Sequence, residues 1–127
     1  MLFDRRRNTP AAARVFVSEA LGRWGRTGRI EDVLLCVSEL TTNSVVHGAP
    51  PGRRILVRVE RHPALMRVEV HDGGSRMPVR REPQDGVEGG RGLPLVSAVA
   101  DHWGVSERQG SGKCVWAVFH DTTAPAG

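Results

Sequence analysis

Between Val33 and Val46 the chain carries a single charged residue, Glu39. Glu31 and Asp32 stand just upstream, where the first turn of a helix favours negative charge. Downstream, Gly48-Ala49-Pro50-Pro51-Gly52 stops any helix firmly. Residues 30–47 are therefore predicted as one helix, and a helix this apolar is mostly enclosed by protein. On a helical wheel Val33, Leu34, Val37 and Leu40 fill one arc, while Leu35 and Val46 fill another. Glu39, Asn43 and His47 follow each other at i, i+4 and i+8, so they share one side of the helix, with Glu39 and Asn43 between the two arcs. A carboxylate placed there is costly to bury alone. Spacing by itself leaves two readings open. Glu39 pairs with one of the seventeen arginines while Asn43 caps a loop, or the two residues serve metal coordination and general-base work.

The remaining elements follow from local pattern. Thr9-Pro10 is a favoured helix start, with Thr as the expected N-cap, and Ala13, Val17, Leu21 and Trp24 recur at helical spacing up to Gly25, which predicts a helix over 10–24. Residues 54–61 and 65–71 alternate as strands joined by a hairpin through His62-Pro63-Ala64. Residues 75–90 form a long loop rich in Pro, Gly and charge, a length usually tied to function or mobility. A third helix opens after Gly89-Gly90-Arg91-Gly92, and two strands follow over about 102–108 and 113–120. The order α-α-β-β-loop-α-β-β implies an α+β fold: a two-layer α/β sandwich with a mostly antiparallel sheet and helices on one face.

Composition closes off several functions. The 127 residues suit a single domain. Residues 1–9 are expected as a poorly ordered arm, 10–120 as the domain and 121–127 as a frayed tail. No apolar run is long enough to span a membrane, and the basic start Met1 to Arg7 is no secretory signal, so a cytoplasmic location is expected. Net charge is +4, but the cations are spread along the chain without interleaved aromatics, which argues against a nucleic-acid partner. Cys36 and Cys114 sit in apolar segments and are expected as reduced core thiols. The five histidines show no ligand spacing, so no zinc site is expected.

Two further signals are weak singly. Asp72 closes a strand and precedes Gly73-Gly74, which let the backbone turn sharply near a ligand. Gly89 to Gly92 stand before a helix, where backbone N–H groups can cradle phosphate. In order, Ser38-Glu39-Leu40-Thr41-Thr42-Asn43-Ser44-Val45-Val46-His47-Gly48, then Val70-His71-Asp72-Gly73-Gly74, then Gly90-Arg91-Gly92-Leu93-Pro94-Leu95-Val96 resemble the ATPase superfamily of gyrase, the heat-shock chaperone of the Bergerat fold, histidine kinases and mismatch-repair ATPases. Within it the chain looks most like the compact anti-sigma serine kinases. Ala100 to Val105 and Gly112 to Trp116 are similar to their closing segments.

The resemblance implies an ATP-binding Bergerat-type domain over residues 10–120, with Mg²⁺ as cofactor. Asn43 matches the residue that holds Mg²⁺, and an amide oxygen suits that hard ion. Glu39 matches the general base. Asp72 matches the acceptor of the adenine amine, and Gly74 follows it in the same motif. Gly90, Arg91, Gly92 and Leu93 match the phosphate-binding box, and residues 75–90 match the lid, where Arg76, Arg80 and Arg81 are further phosphate candidates. Cys114 stands where the family has a Thr supporting the adenine-binding Asp. Arg76 replaces a family glycine, and the family's first strand is hard to find, since only Leu2-Phe3 precede the first helix. That strand often joins dimer contacts, so a homodimer is possible. The implied function is a serine/threonine protein kinase acting on an anti-anti-sigma partner, with sigma-factor binding as its other state. A nucleotide-dependent binding module with little turnover is the alternative. A detached histidine-kinase catalytic domain would lack its dimerisation helix.

Overall fold

The computed structural model describes residues 1–47, 54–72, 93–107 and 112–121. Two helices come early: α1, Thr9–Trp24, and α2, Ile30–His47. Around them run β1, Leu2–Asp4, β2, Arg54–His62, and β3, Leu65–Asp72. The short α3, Leu93–Val99, leads into β4, His102–Glu107, and β5, Lys113–His120. The five strands form one sheet in the order β1-β2-β3-β5-β4, with every pairing antiparallel. The protein is thus an α+β two-layer sandwich with an open antiparallel sheet.

Alternation along the strands decides the layers. Ile55 and Val57 of β2, Met66, Val68 and Val70 of β3, and Val115, Ala117 and Phe119 of β5 turn inward. There they meet Ala13, Val17 and Leu21 of α1, Val33, Cys36, Val37 and Leu40 of α2, and Val96 of α3 in one core. Residues with the other parity, such as Arg58, Arg67, Glu69, His71 and Trp116, stand on the open face. Phe119 is the largest fully buried side chain, and removing an aromatic from such a place costs about 3–5 kcal/mol.

Helix ends are chemically set. At the exit of α1, Gly25 takes φ 70°, its N–H donates to Gly22 O, and the Arg26 N–H donates to Leu21 O at 2.9 Å, a Schellman closure. At its start Thr9 is the first helical residue, not the N-cap; Asn8 holds that place without a side-chain bond. The Thr9 hydroxyl donates to Asp4 O and accepts from the Arg6 N–H, which ties the helix to the end of β1.

Three expectations change. Residues 1–9 are no loose arm, because Leu2, Phe3 and Asp4 pair with Leu56, Ile55 and Arg54 at the sheet edge, and the Met1 terminal amine donates to Val57 O at 2.6 Å. This supplies a first strand too short to show alternation. The β2–β3 hairpin turns on Pro63 and Ala64 alone, since His62 already pairs with Leu65. Helix α2 is enclosed on one arc only: Val33, Val37 and Leu40 are buried, whereas Leu35 and Val46 are exposed.

Candidate functional site

The site forms where the last turns of α2 meet the end of β3. Glu39 and Asn43 are half-buried, along the border between the core arc of α2 and its exposed side. A half-buried acid and amide one turn apart keep lone pairs available to a ligand while the helix fixes their spacing. Asp72 is only 2% exposed, and its parity turns it toward the helical layer. Ser44 Oγ donates to Asp72 Oδ2 at 3.1 Å. This bond joins the residue next to Asn43 to the strand-end carboxylate, so both lie in one small region.

Ser44 escaped the reading of the sequence. It lies four residues after Leu40 and seven after Val37, on the buried arc, and is itself buried. A small hydroxyl at a core position of an apolar helix was the available signal, since such groups are buried when they have a partner. Thr41 is the second hydroxyl on that arc, but it donates to Val37 O at 2.7 Å within its own helix and reaches no other element through that bond.

The last turn of α2 is held from outside. Arg5 Nη2 donates to Val45 O at 2.8 Å and its Nε to Ser44 O, so a cation satisfies carbonyls that the helix end leaves open. Arg14 of α1 donates to Ser38 Oγ at 3.0 Å, one residue before Glu39.

Cys114 does not support Asp72. Strand register sets Cys114 across from His71 on the open face, while Lys113 stands across from Asp72. A shift of one residue along a strand exchanges the two faces. The position facing the carboxylate is therefore held by Lys113, and the expected role of Cys114 is withdrawn. Cys36 is a core thiol as expected, and burial, helped by the nearby Glu39 charge, pushes it up to about 12. Gly74, Gly90, Arg91, Gly92 and the lid arginines Arg76, Arg80 and Arg81 lie outside the described residues, and Leu93 is placed as the first residue of α3.

This architecture, an open antiparallel sheet layered by helices on one side, is that of histidine kinase ATPase domains. The chain belongs to the histidine kinase-like ATPase domain family, whose profile matches residues 4–119. Among solved structures it is similar to the mycobacterial sensor histidine kinase MprB, with a TM-score of 0.53 and 21% identity over 73% of this chain and 72% of that one. It is also similar to the histidine kinase domain from the Erythrobacter litoralis EL346 blue-light activated histidine kinase, with a TM-score of 0.56 and 21% identity. That match covers 87% of this chain and 60% of the other, so this chain spans about three fifths of the neighbour's length. At such identity the likeness carries the fold. No curated protein matches the sequence.

Proposed function

We propose that the protein binds Mg-ATP at the junction of α2 and β3 and acts as a serine/threonine kinase of the anti-sigma type on an anti-anti-sigma partner, with sigma-factor binding as its other state. The observation that carries the nucleotide reading is the Ser44–Asp72 bond beside Asn43. It brings a buried carboxylate acceptor within reach of the helix that bears the amide and the acid.

Each role follows from donor chemistry. A strand-end carboxylate accepts from the exocyclic amine of adenine, and a guanine carbonyl at that place would oppose it acceptor to acceptor. Asn43 offers a hard amide oxygen, which fits Mg²⁺ better than it fits a soft metal. The ion, when bound, neutralises charge on the phosphates. Glu39 takes the proton of the attacking partner hydroxyl. Gly90 and Gly92 offer backbone N–H groups to the phosphates, and Arg91 adds a cation.

Purified protein with Mg-ATP and a candidate partner should transfer phosphate to a partner serine. Glu39→Ala should reduce transfer by about 10²–10⁴-fold, the usual worth of a general base, while ATP uptake persists. Transfer at the parental rate would remove Glu39 from the base role. ATP uptake with no transfer to any partner would leave a nucleotide-dependent binding module.

A further inference from the structure

No zinc site was expected, because no ligand spacing shows along the chain, yet strand pairing brings three potential ligands together across it. His71 on β3 stands directly across from Cys114 on β5. Glu69, two residues before His71, shares the same open face. One ligand atom from each of the three lies within 4.8 Å of the others. Glu69 and Cys114 are each 7% exposed, so this is a walled cluster and not a scatter of surface groups.

We infer that Glu69, His71 and Cys114 form a zinc-binding site on the open face of the sheet, the face opposite the one that Asp72 turns toward α2. Thiolate, imidazole and carboxylate are the three donor types that zinc takes, and a thiolate with an imidazole disfavours Mg²⁺. Tetrahedral zinc at bond lengths of about 2.0–2.3 Å spaces its donors about 3.3–3.6 Å apart. Closure from the present separations asks for side-chain shifts of about 1 Å, within the reach of rotation about staggered torsions. His71 Nε2 and Glu69 Oε1 are joined by a hydrogen bond at 2.8 Å. On binding they part slightly and become two donors. The imidazole proton moves to Nδ1, which is buried with no hydrogen-bond partner among the described residues. The Cys114 thiol gives its proton to water as the sulfur–zinc bond forms.

Two arginines oppose a dication here, and both have other partners. Arg67 holds Glu69 through the other oxygen, Oε2, at 2.8 Å, and its guanidinium lies over the Trp116 ring. Arg58 lies 3.5 Å from Glu69 Oε1, the oxygen offered to the metal, and 2.8 Å from Glu60, so metal binding requires it to leave Glu69 and keep Glu60. Three protein ligands leave one position open to water or to a donor from a protein docked on this face.

The test uses the full chain, treated with chelator and then titrated with Co²⁺ as a spectroscopic stand-in for zinc. A sulfur-to-cobalt charge-transfer band should rise to one equivalent and be displaced by Zn²⁺. Cys114→Ser and His71→Gln should lose the band, Glu69→Gln should weaken Co²⁺ binding at least about tenfold, and Cys36→Ser should keep it. Zinc should also shield Cys114 of the unaltered chain from a thiol reagent, a readout that needs no variant to fold. Absence of the band in the parental chain, its survival in Cys114→Ser, or undiminished labelling of Cys114 under saturating zinc would overturn the site. None of these readouts involves ATP, so the nucleotide reading stands or falls separately.

Discussion

Asp72 is nearly sealed from water, and a sealed carboxylate is stable only while its lone pairs are engaged. Ser44 engages one of them. Ser44→Ala should cost about 1–3 kcal/mol, the usual penalty for leaving a buried polar group short of a partner, read as a lower urea midpoint. If the midpoint is unchanged, the bond adds nothing to the fold. Asp72→Asn tests the ligand side. The amide can turn an N–H toward the adenine amine, so a charge-assisted bond worth about 1.5–3 kcal/mol is lost, and ATP affinity by calorimetry should fall about 10–150-fold. At this scale the sequence revealed residue types and hid their facing. Glu39, Asn43 and Asp72 stood out as charged or amide groups against apolar runs. Ser44 did not, because a lone serine in a helix is common. Cys114 was misassigned for a different reason. Alternation shows which residues share a face of one strand, but which residue stands across from Asp72 is decided by the register between β3 and β5.

Elements were more legible than faces. Helix α2 and the strands β2, β3 and β5 carry patterns long enough to count, and they form close to where the patterns begin and end. Strand β1 has three residues and no countable alternation; it exists because the edge of β2 offers it backbone partners. The exposed arc of α2 was missed since a wheel ranks residues by polarity and cannot say how many faces have neighbours. The same short strand gives α2 its outer support. Arg5 follows β1 directly and donates to Ser44 O and Val45 O. Arg5→Ala should cost about 1 kcal/mol, less than a buried charged hydrogen bond because water replaces part of the loss. The effect should be local: faster hydrogen exchange in the last turn of α2, with the amides of β3 little changed. ATP affinity should drop with it, since Asn43 lies in that turn. Uniform exchange across the protein would mean that Arg5 does not hold this turn.

For the molecule as a whole, one cation joins pieces that are distant in sequence. Arg29, at the entry to α2, donates to Asp32 at 3.0 Å, to Asp101 at 2.9 Å, to His120 O at 2.8 Å and to Val99 O at 2.9 Å. Its guanidinium also lies 5.5 Å from the centre of the Phe119 ring. The entry of α2, the exit of α3 and the end of β5 are thereby fastened around a single planar fork, an arrangement that a lysine cannot copy. Asp101 completes the junction by accepting from the His120 N–H at 2.7 Å. That backbone N–H, followed by the Arg29 side chain, holds the Asp101 carboxyl below its ordinary 3.8. A carboxyl depressed in the folded state binds its proton more readily in the unfolded chain. Its contribution to stability is therefore complete above pH 3.8 and fades as pH falls through the lower folded value. Asp101 is 39% exposed at its side chain, so solvent screens the effect and its size stays modest. In urea denaturation from pH 6 downward, Asp101→Asn should lower stability near neutral pH and flatten the acid limb relative to the parental chain, because the titrating group is gone. Arg29→Lys should weaken the same limb through loss of the guanidinium partner, while the His120 N–H preserves part of the depression. If both variants keep the parental acid limb, the junction at Asp101 does not couple proton binding to folding, and Arg29 fastens α3 to β5 through the Val99 and His120 carbonyls without it.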